Sequence, residues 1–154
     1  MLRAPVTVLL ALSLLLAACG AEEEETPTAC FAGADGYLQA LRGAPGEVRI
    51  DGTSISDCLV PSQPGGELAE VGSGMVAAAT RLNEGARADP TGSQAFQLGY
   101  LIGAAQRGAE ETAGIHTDLI RRLNSAARFD PAGIPPASFE RTFGRGFQAG
   151  RESG

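Results

Sequence analysis

His116 is the only imidazole in the 154-residue chain, and all 12 basic residues are arginine, so no lysine is available. Schiff-base and amine catalysis are excluded on that ground. A single histidine with no metal-type spacing around it suggests neither a metal centre nor a general base with a partner. Gly-x-Ser-x-Gly, His-Glu-x-x-His and Walker-type runs are absent from the sequence. Glu70, Glu84, Glu110 and Glu111 could in principle include an acid for glycan cleavage. Any soluble helix carries such groups, however, and aromatic residues, the usual platforms of carbohydrate clefts, make up only 5% of the chain. The polar residues that stand out are Arg81, Asn83, Arg122 and Asn124, because they recur in register. They could build paired sites for an anionic or polar ligand. Structural duty is the competing reading: Asn83, Asn124, Arg87 and Arg128 can bond backbone groups where helices end, and Asp89 and Asp130 can cap helix starts. No cofactor or metal is expected, and a formal charge of −6 argues against a nucleic-acid partner.

The register comes from an internal repeat. Arg81-Leu82-Asn83-Glu84-Gly85-Ala86-Arg87-Ala88-Asp89-Pro90-Thr91-Gly92 returns 41 residues later as Arg122-Leu123-Asn124-Ser125-Ala126-Ala127-Arg128-Phe129-Asp130-Pro131-Ala132-Gly133. Phe96-x-x-Gly99-Tyr100-x-x-Gly103 returns as Phe143-x-x-Gly146-Phe147-x-x-Gly150, displaced by 47, so six residues are added around Ile134-Pro135-Pro136. Leu68, Val71, Met75, Ala79, Leu82 and Ala86 follow the spacing of a helix face, as do Ile115, Leu119, Leu123 and Ala126. Asp89-Pro90 should turn the chain into a second helix, with Pro at its first position or a Thr91/Gln94 capping box slightly later; in the second copy Pro135 and Pro136 delay that helix to about Ser138. Positions 0, 3, 4 and 7 of the aromatic/glycine motif share one helix side. Glycine there costs up to ~1 kcal/mol of helix propensity, which close backbone approach would offset. The two second helices are therefore expected to pack on each other about a pseudo-twofold axis, aromatic rings over glycine notches. His116 aligns with Met75 and should edge the core.

The amino-terminal segment has a different character. After Arg3, Val6 to Leu16 form an apolar run of about eleven residues, within the ~7 to 15 of a signal-peptide core and short of the ~20 that span a bilayer. The run ends in Leu16-Ala17-Ala18-Cys19, which resembles the lipobox of bacterial lipoproteins. That resemblance implies cleavage before Cys19 and transfer to its thiol of a diacylglycerol bearing fatty-acid chains such as palmitate; two or more chains give stable anchoring. An ordinary secretory signal or an uncleaved anchor is the alternative, and either would also place the domain outside the cytoplasm. Gly20 to Thr28, with Glu22 to Glu25 in a row, should remain an extended acidic tether. Beyond Glu25 the domain is nearly balanced, with 11 Arg against 14 acidic residues.

Lipidation of Cys19 leaves Cys30 and Cys58, an even number in an oxidising compartment, and these are expected to form a disulfide. Phe31, Ala34, Leu38 and Leu41 suggest a short helix ended by Gly43 and Pro45; Val48-Arg49-Ile50 allows only a brief strand; Ile55, Cys58 and Leu59 return to helical spacing. The expected organisation is a signal peptide (1–18), a tether (19–29), a disulfide-clamped cap (30–60) and two helical hairpins (67–108 and 109–151). The fold class is all-α, a small helical bundle made of two duplicated hairpins plus the cap. The expected function is a non-catalytic binding or scaffolding module, exported and lipid-anchored to the outer face of the cell membrane or to an outer membrane. Its partners would be membrane lipid through Cys19 and an envelope protein or small ligand. The alternatives are a small-molecule sensor or carrier with a pocket between the hairpins, and a cell-envelope hydrolase.

Overall fold

The structure, a computed structural model, describes residues 24–130 and 133–154. The expected signal segment, Cys19 and the first residues of the expected tether lie outside the described residues. Those described form five α-helices: α1 (Gly33–Leu41), α2 (Gly65–Ala88), α3 (Ser93–Glu110), α4 (Thr117–Ala126) and α5 (Ala137–Ser153), with 3-10 turns at Thr28–Phe31 and Ser56–Cys58. No strand is present among them; the brief strand expected near Ile50 is a single bridge to Thr53. No described helix is long and apolar enough to cross a membrane.

The protein is a small all-α bundle centred on α3. Every residue from Leu98 to Ala105 is buried, so α3 is covered on all sides, as an all-round apolar helix must be. α2 and α5 flank it, α4 leans on both α2 and α3, and the Ser56–Cys58 turn packs near its end. α2 begins after Pro64 with Glu67 in its first turn and Arg87 in its last, charges that match the helix dipole. It stops at Asp89, which is extended (φ −136°, ψ 93°), as a residue before proline must be. Two glycines let α2 carry neighbours on two sides. A Cβ on Gly72 would press on Leu119 of α4, and one on Gly74 would press on Gly33 and Tyr37 of α1.

The two copies of the repeat meet at α3 and α5. A Cβ on Gly99 would overlap the carbonyl of Phe143, and one on Gly146 the carbonyl of Phe96; Gly103 and Phe147 are related to Gly150 and Tyr100 in the same way. These pairs exchange under n ↔ n+47, the sequence displacement of the motif, and the numbering rises together along both helices. α3 and α5 are therefore parallel, with a local pseudo-twofold axis along the seam. What enters each notch is the backbone of the facing helix, which corrects the expectation of aromatic rings lying over the glycines. The rings of Phe129, Phe139, Phe143 and Phe147 instead form a ladder with successive centroids 4.7, 5.5 and 6.4 Å apart.

Three local expectations also shift. α3 starts at Ser93 and not at Pro90, because Asp89 Oδ1 accepts from the Thr91 N–H (3.1 Å) and hydroxyl (2.9 Å) and closes a turn before the helix. α4 starts at Thr117, leaving Ile115 outside the helix and 41% exposed, because Ala113 and Gly114 take positive φ (51° and 86°) in the preceding turn. His116 is wholly buried and not at the core edge.

Candidate functional site

Cys30 and Cys58 form a disulfide with a Cα–Cα distance of 5.4 Å, and both are buried in the same core as the helices. The bridge joins the two 3-10 turns. Beside it, Gln63 donates through Nε2 to the Cys58 carbonyl (3.1 Å) and to Thr26 Oγ1 (2.9 Å). A carbonyl can only accept, so the amide orientation is fixed and Gln63 Oε1 faces His116 Nε2 at 2.7 Å. That nitrogen must carry a proton. The other ring nitrogen, Nδ1, lies 2.8 Å from Thr112 Oγ1, which is also 2.7 Å from the Ala109 carbonyl. In neutral His116, Nδ1 accepts the Thr112 hydroxyl; in imidazolium it donates to that oxygen, and the hydroxyl turns to Ala109. Burial pushes the His116 pKa below its ordinary value and selects the neutral form. Through Gln63, His116 thus ties the start of α4 to the disulfide and to Thr26.

The repeated polar residues lie in separate surroundings. Arg81 pairs with Asp35 of α1. Asn83, on α2, donates through Nδ2 to the carbonyls of Ala126 (2.8 Å) and Arg128 (2.7 Å), and Arg87 Nη2 adds a bond to Arg128 O (3.0 Å). These two residues close the C-terminal end of α4, in the other copy of the repeat. Arg122 and Asn124 are exposed on α4. Of the carboxylates singled out in the sequence, Glu110 pairs with Arg151 across the C-terminal ends of α3 and α5, while Glu70, Glu84 and Glu111 are exposed.

The surface has several concavities. At the C-terminal end of α3, about 440 Å³ is lined by Glu24, Glu25, Asp57, Glu111 and Arg107, among others. A smaller hollow of about 250 Å³ contains Arg49 and Ser153 with Tyr100, whose buried hydroxyl has no hydrogen-bond partner. Burial raises the Tyr100 pKa, against the pull of the Arg49 and Arg107 charges. A third, of about 460 Å³, lies where α3 and α5 begin and is lined by Thr91, Ser138, Arg141, Thr142 and Arg145.

Sequence reasoning missed this last group. The signal was present, since residues 138, 141, 142 and 145 are spaced by three and four and must share one side of a helix. It was overshadowed by the aromatic/glycine motif on the same helix. Among the described residues, no group of three or more His, Cys, Asp or Glu side chains is placed to hold a metal ion. Comparison of the chain with protein-family models, with curated proteins and with solved structures gives no match.

Proposed function

We propose that the chain is an exported lipoprotein, held at the outer face of a membrane by acyl chains on Cys19, and that its helical bundle works there as a non-catalytic binding or scaffolding module. The observation that carries the reading is the order of segments: an apolar run closed by Leu16-Ala17-Ala18-Cys19, then four consecutive glutamates, then a disulfide-bonded domain. The bridge supports the same reading, because disulfides persist in oxidising compartments. So does the docking of Thr26 on Gln63, which fixes the tether's exit beside the disulfide and leaves only a short chain between the domain and Cys19.

A narrower version, a sensor or carrier of a small ligand, is favoured by the groove at the start of α3 and α5, whose size suits a small molecule. Mass spectrometry of the protein from membrane fractions tests the anchor: an N-terminal peptide beginning at an acylated Cys19 is expected. An intact Met1 terminus, or unchanged membrane association of Cys19→Ala, would refute it.

A further inference from the structure

We propose that the groove between the N-terminal ends of α3 and α5 is a binding site for an oxyanion of the size of a phosphate group, held by the guanidinium groups of Arg141 and Arg145 and the hydroxyls of Ser138 and Thr142. This inference rests on reading the domain as a binding module, and not on its anchor.

The first observation is that the two arginines are unspent. Arg49, Arg81, Arg121 and Arg151 each have a carboxylate partner, and Arg87 and Arg107 donate to backbone carbonyls. Among the described residues Arg141 and Arg145 make neither kind of contact; the same is true of Arg42, Arg122 and Arg128, but of these five only Arg141 and Arg145 lie one turn apart and line a common groove. At the other end of the same two helices the arginines are engaged, Arg151 with Glu110 and Arg107 with the Glu152 carbonyl. A pair of planar forks one turn apart suits an oxyanion, to which each can give two parallel N–H bonds.

The second observation is independent of charge. Thr142 is only 5% exposed, lines the groove, and its hydroxyl makes no hydrogen bond to another described residue. In a helix such a hydroxyl usually bonds back to a carbonyl one turn earlier, as Thr80 does to Val76. That leaves the Thr142 hydroxyl, at the wall of the groove, free to bond whatever enters it. Thr91 is different: its hydroxyl is already given to Asp89, so it forms the wall and not a donor. Of the acidic residues nearest in sequence, Asp89 has its Oδ1 occupied by the Thr91 N–H and hydroxyl, and Glu140, exposed in the first turn of α5, does not line the groove.

The helices add a third element. Because α3 and α5 are parallel, both positive dipole ends lie towards the groove. Neither first turn receives a side-chain cap, the N-cap positions being Gly92 and Pro136. The chemistry is that of a phosphate group, whether free or carried by a lipid headgroup.

The test uses the full chain purified in detergent, titrated calorimetrically with inorganic phosphate and, separately, with micelles doped with phosphatidylglycerol or with phosphatidylcholine. Saturable binding is expected in at least one anionic arm, weakened by salt. Replacing both arginines, R141Q with R145Q, should weaken it at least ~10-fold, since charge-assisted bonds are the strong ones. Thr142→Val should weaken it about fivefold, the effect of one neutral hydrogen bond. The surface substitution Arg42→Gln should leave it unchanged. Response to phosphate identifies a soluble ligand, and response to phosphatidylglycerol alone a lipid headgroup. No binding in either arm, or binding unmoved by the double replacement in a protein whose melting is normal, overturns the proposal. If the same preparation still carries acylated Cys19 and cross-links to envelope neighbours in cells, the binding-module reading survives that failure.

Discussion

Gly146 and Gly144 stand two residues apart in α5 and should respond to the same substitution with opposite signs. Gly144 is exposed, and a Cβ there would meet nothing within 4 Å. Gly144→Ala should therefore gain most of the propensity difference between the two residues and stabilise the protein by up to ~1 kcal/mol. At Gly146 the same propensity gain is available, but the new methyl would overlap the Phe96 carbonyl, carbon and Cα. The obstruction is backbone, so no rotamer change relieves it. The helices must part, and parting them also loosens the matching contacts at Gly99, Gly103 and Gly150. Overpacking typically costs about 1–3 kcal/mol, and a seam of backbone contacts belongs at the upper end. The net for Gly146→Ala is a loss of about 1–2 kcal/mol, and the two variants should differ by about 2–3 kcal/mol. With a urea m-value of about 1–3 kcal/mol/M, their unfolding midpoints should be separated by roughly 1–2 M. Circular dichroism at 222 nm against urea reads this directly. A Gly146→Ala protein as stable as the wild type, or two variants moving in the same direction, would show that the glycines do not hold α3 and α5 together.

Two further outcomes follow from the polar contacts. Asn83→Ala strands the Ala126 carbonyl and removes one of two donors from Arg128 O, so it should lose about 1–3 kcal/mol; its repeat counterpart Asn124→Ala, on an exposed site, should stay within about 0.5 kcal/mol, and equal losses from the two in parallel urea titrations would count against the inter-copy cap. For His116 the folded pKa is depressed by burial, so its contribution is fully present above the unfolded value near 6.5 and is lost as pH falls through the folded value. Stability measured at pH 5 and pH 7.5 should drop more at the acid end for the wild type than for His116→Gln; identical slopes would exclude the histidine as the source.

Periodicity and repetition made part of this molecule legible. The displacement of 47 between the aromatic/glycine motifs is the operator that relates α3 to α5, and the face expected for α2 is the buried one from Val71 to Ala86. The pairing of Cys30 with Cys58 followed from counting thiols. What escaped was everything that needs a distant partner. A spacing pattern says which side of a helix is apolar, not which neighbour covers it, so the central place of α3 was hidden in a short run of small and apolar residues. His116 aligned with a core methionine and looked apolar by association. Its true setting depends on Gln63, 53 residues away, in the stretch between the expected cap and the first expected hairpin. The groove residues of α5 were equally readable by spacing, but only the arrival of α3 at the same end makes them a concavity.

The limited reach of the twofold axis has a physical cause. Between α3 and α5 backbone meets backbone, and such contacts tolerate almost no drift, so both copies keep the motif in register. α2 and α4 touch their neighbours through side chains and have diverged. Gly72 and Gly74, the notches that let α2 receive α4 and α1, correspond at the offset of 41 to Ala113 and Ile115. In the second copy those positions form a turn with positive φ at Ala113 and Gly114, so α4 has 10 residues where α2 has 24. The start of α4 is fastened instead by the hydrogen bonds of the His116–Gln63–Cys58 network. The far end of α4 then depends on Asn83 and Arg87 from the other copy. The repeat holds two equivalent asparagines, and with α4 short only Asn83 has a structural task. Asn124 and Arg122, left on the exposed side of α4, are free of the constraints that fix their counterparts.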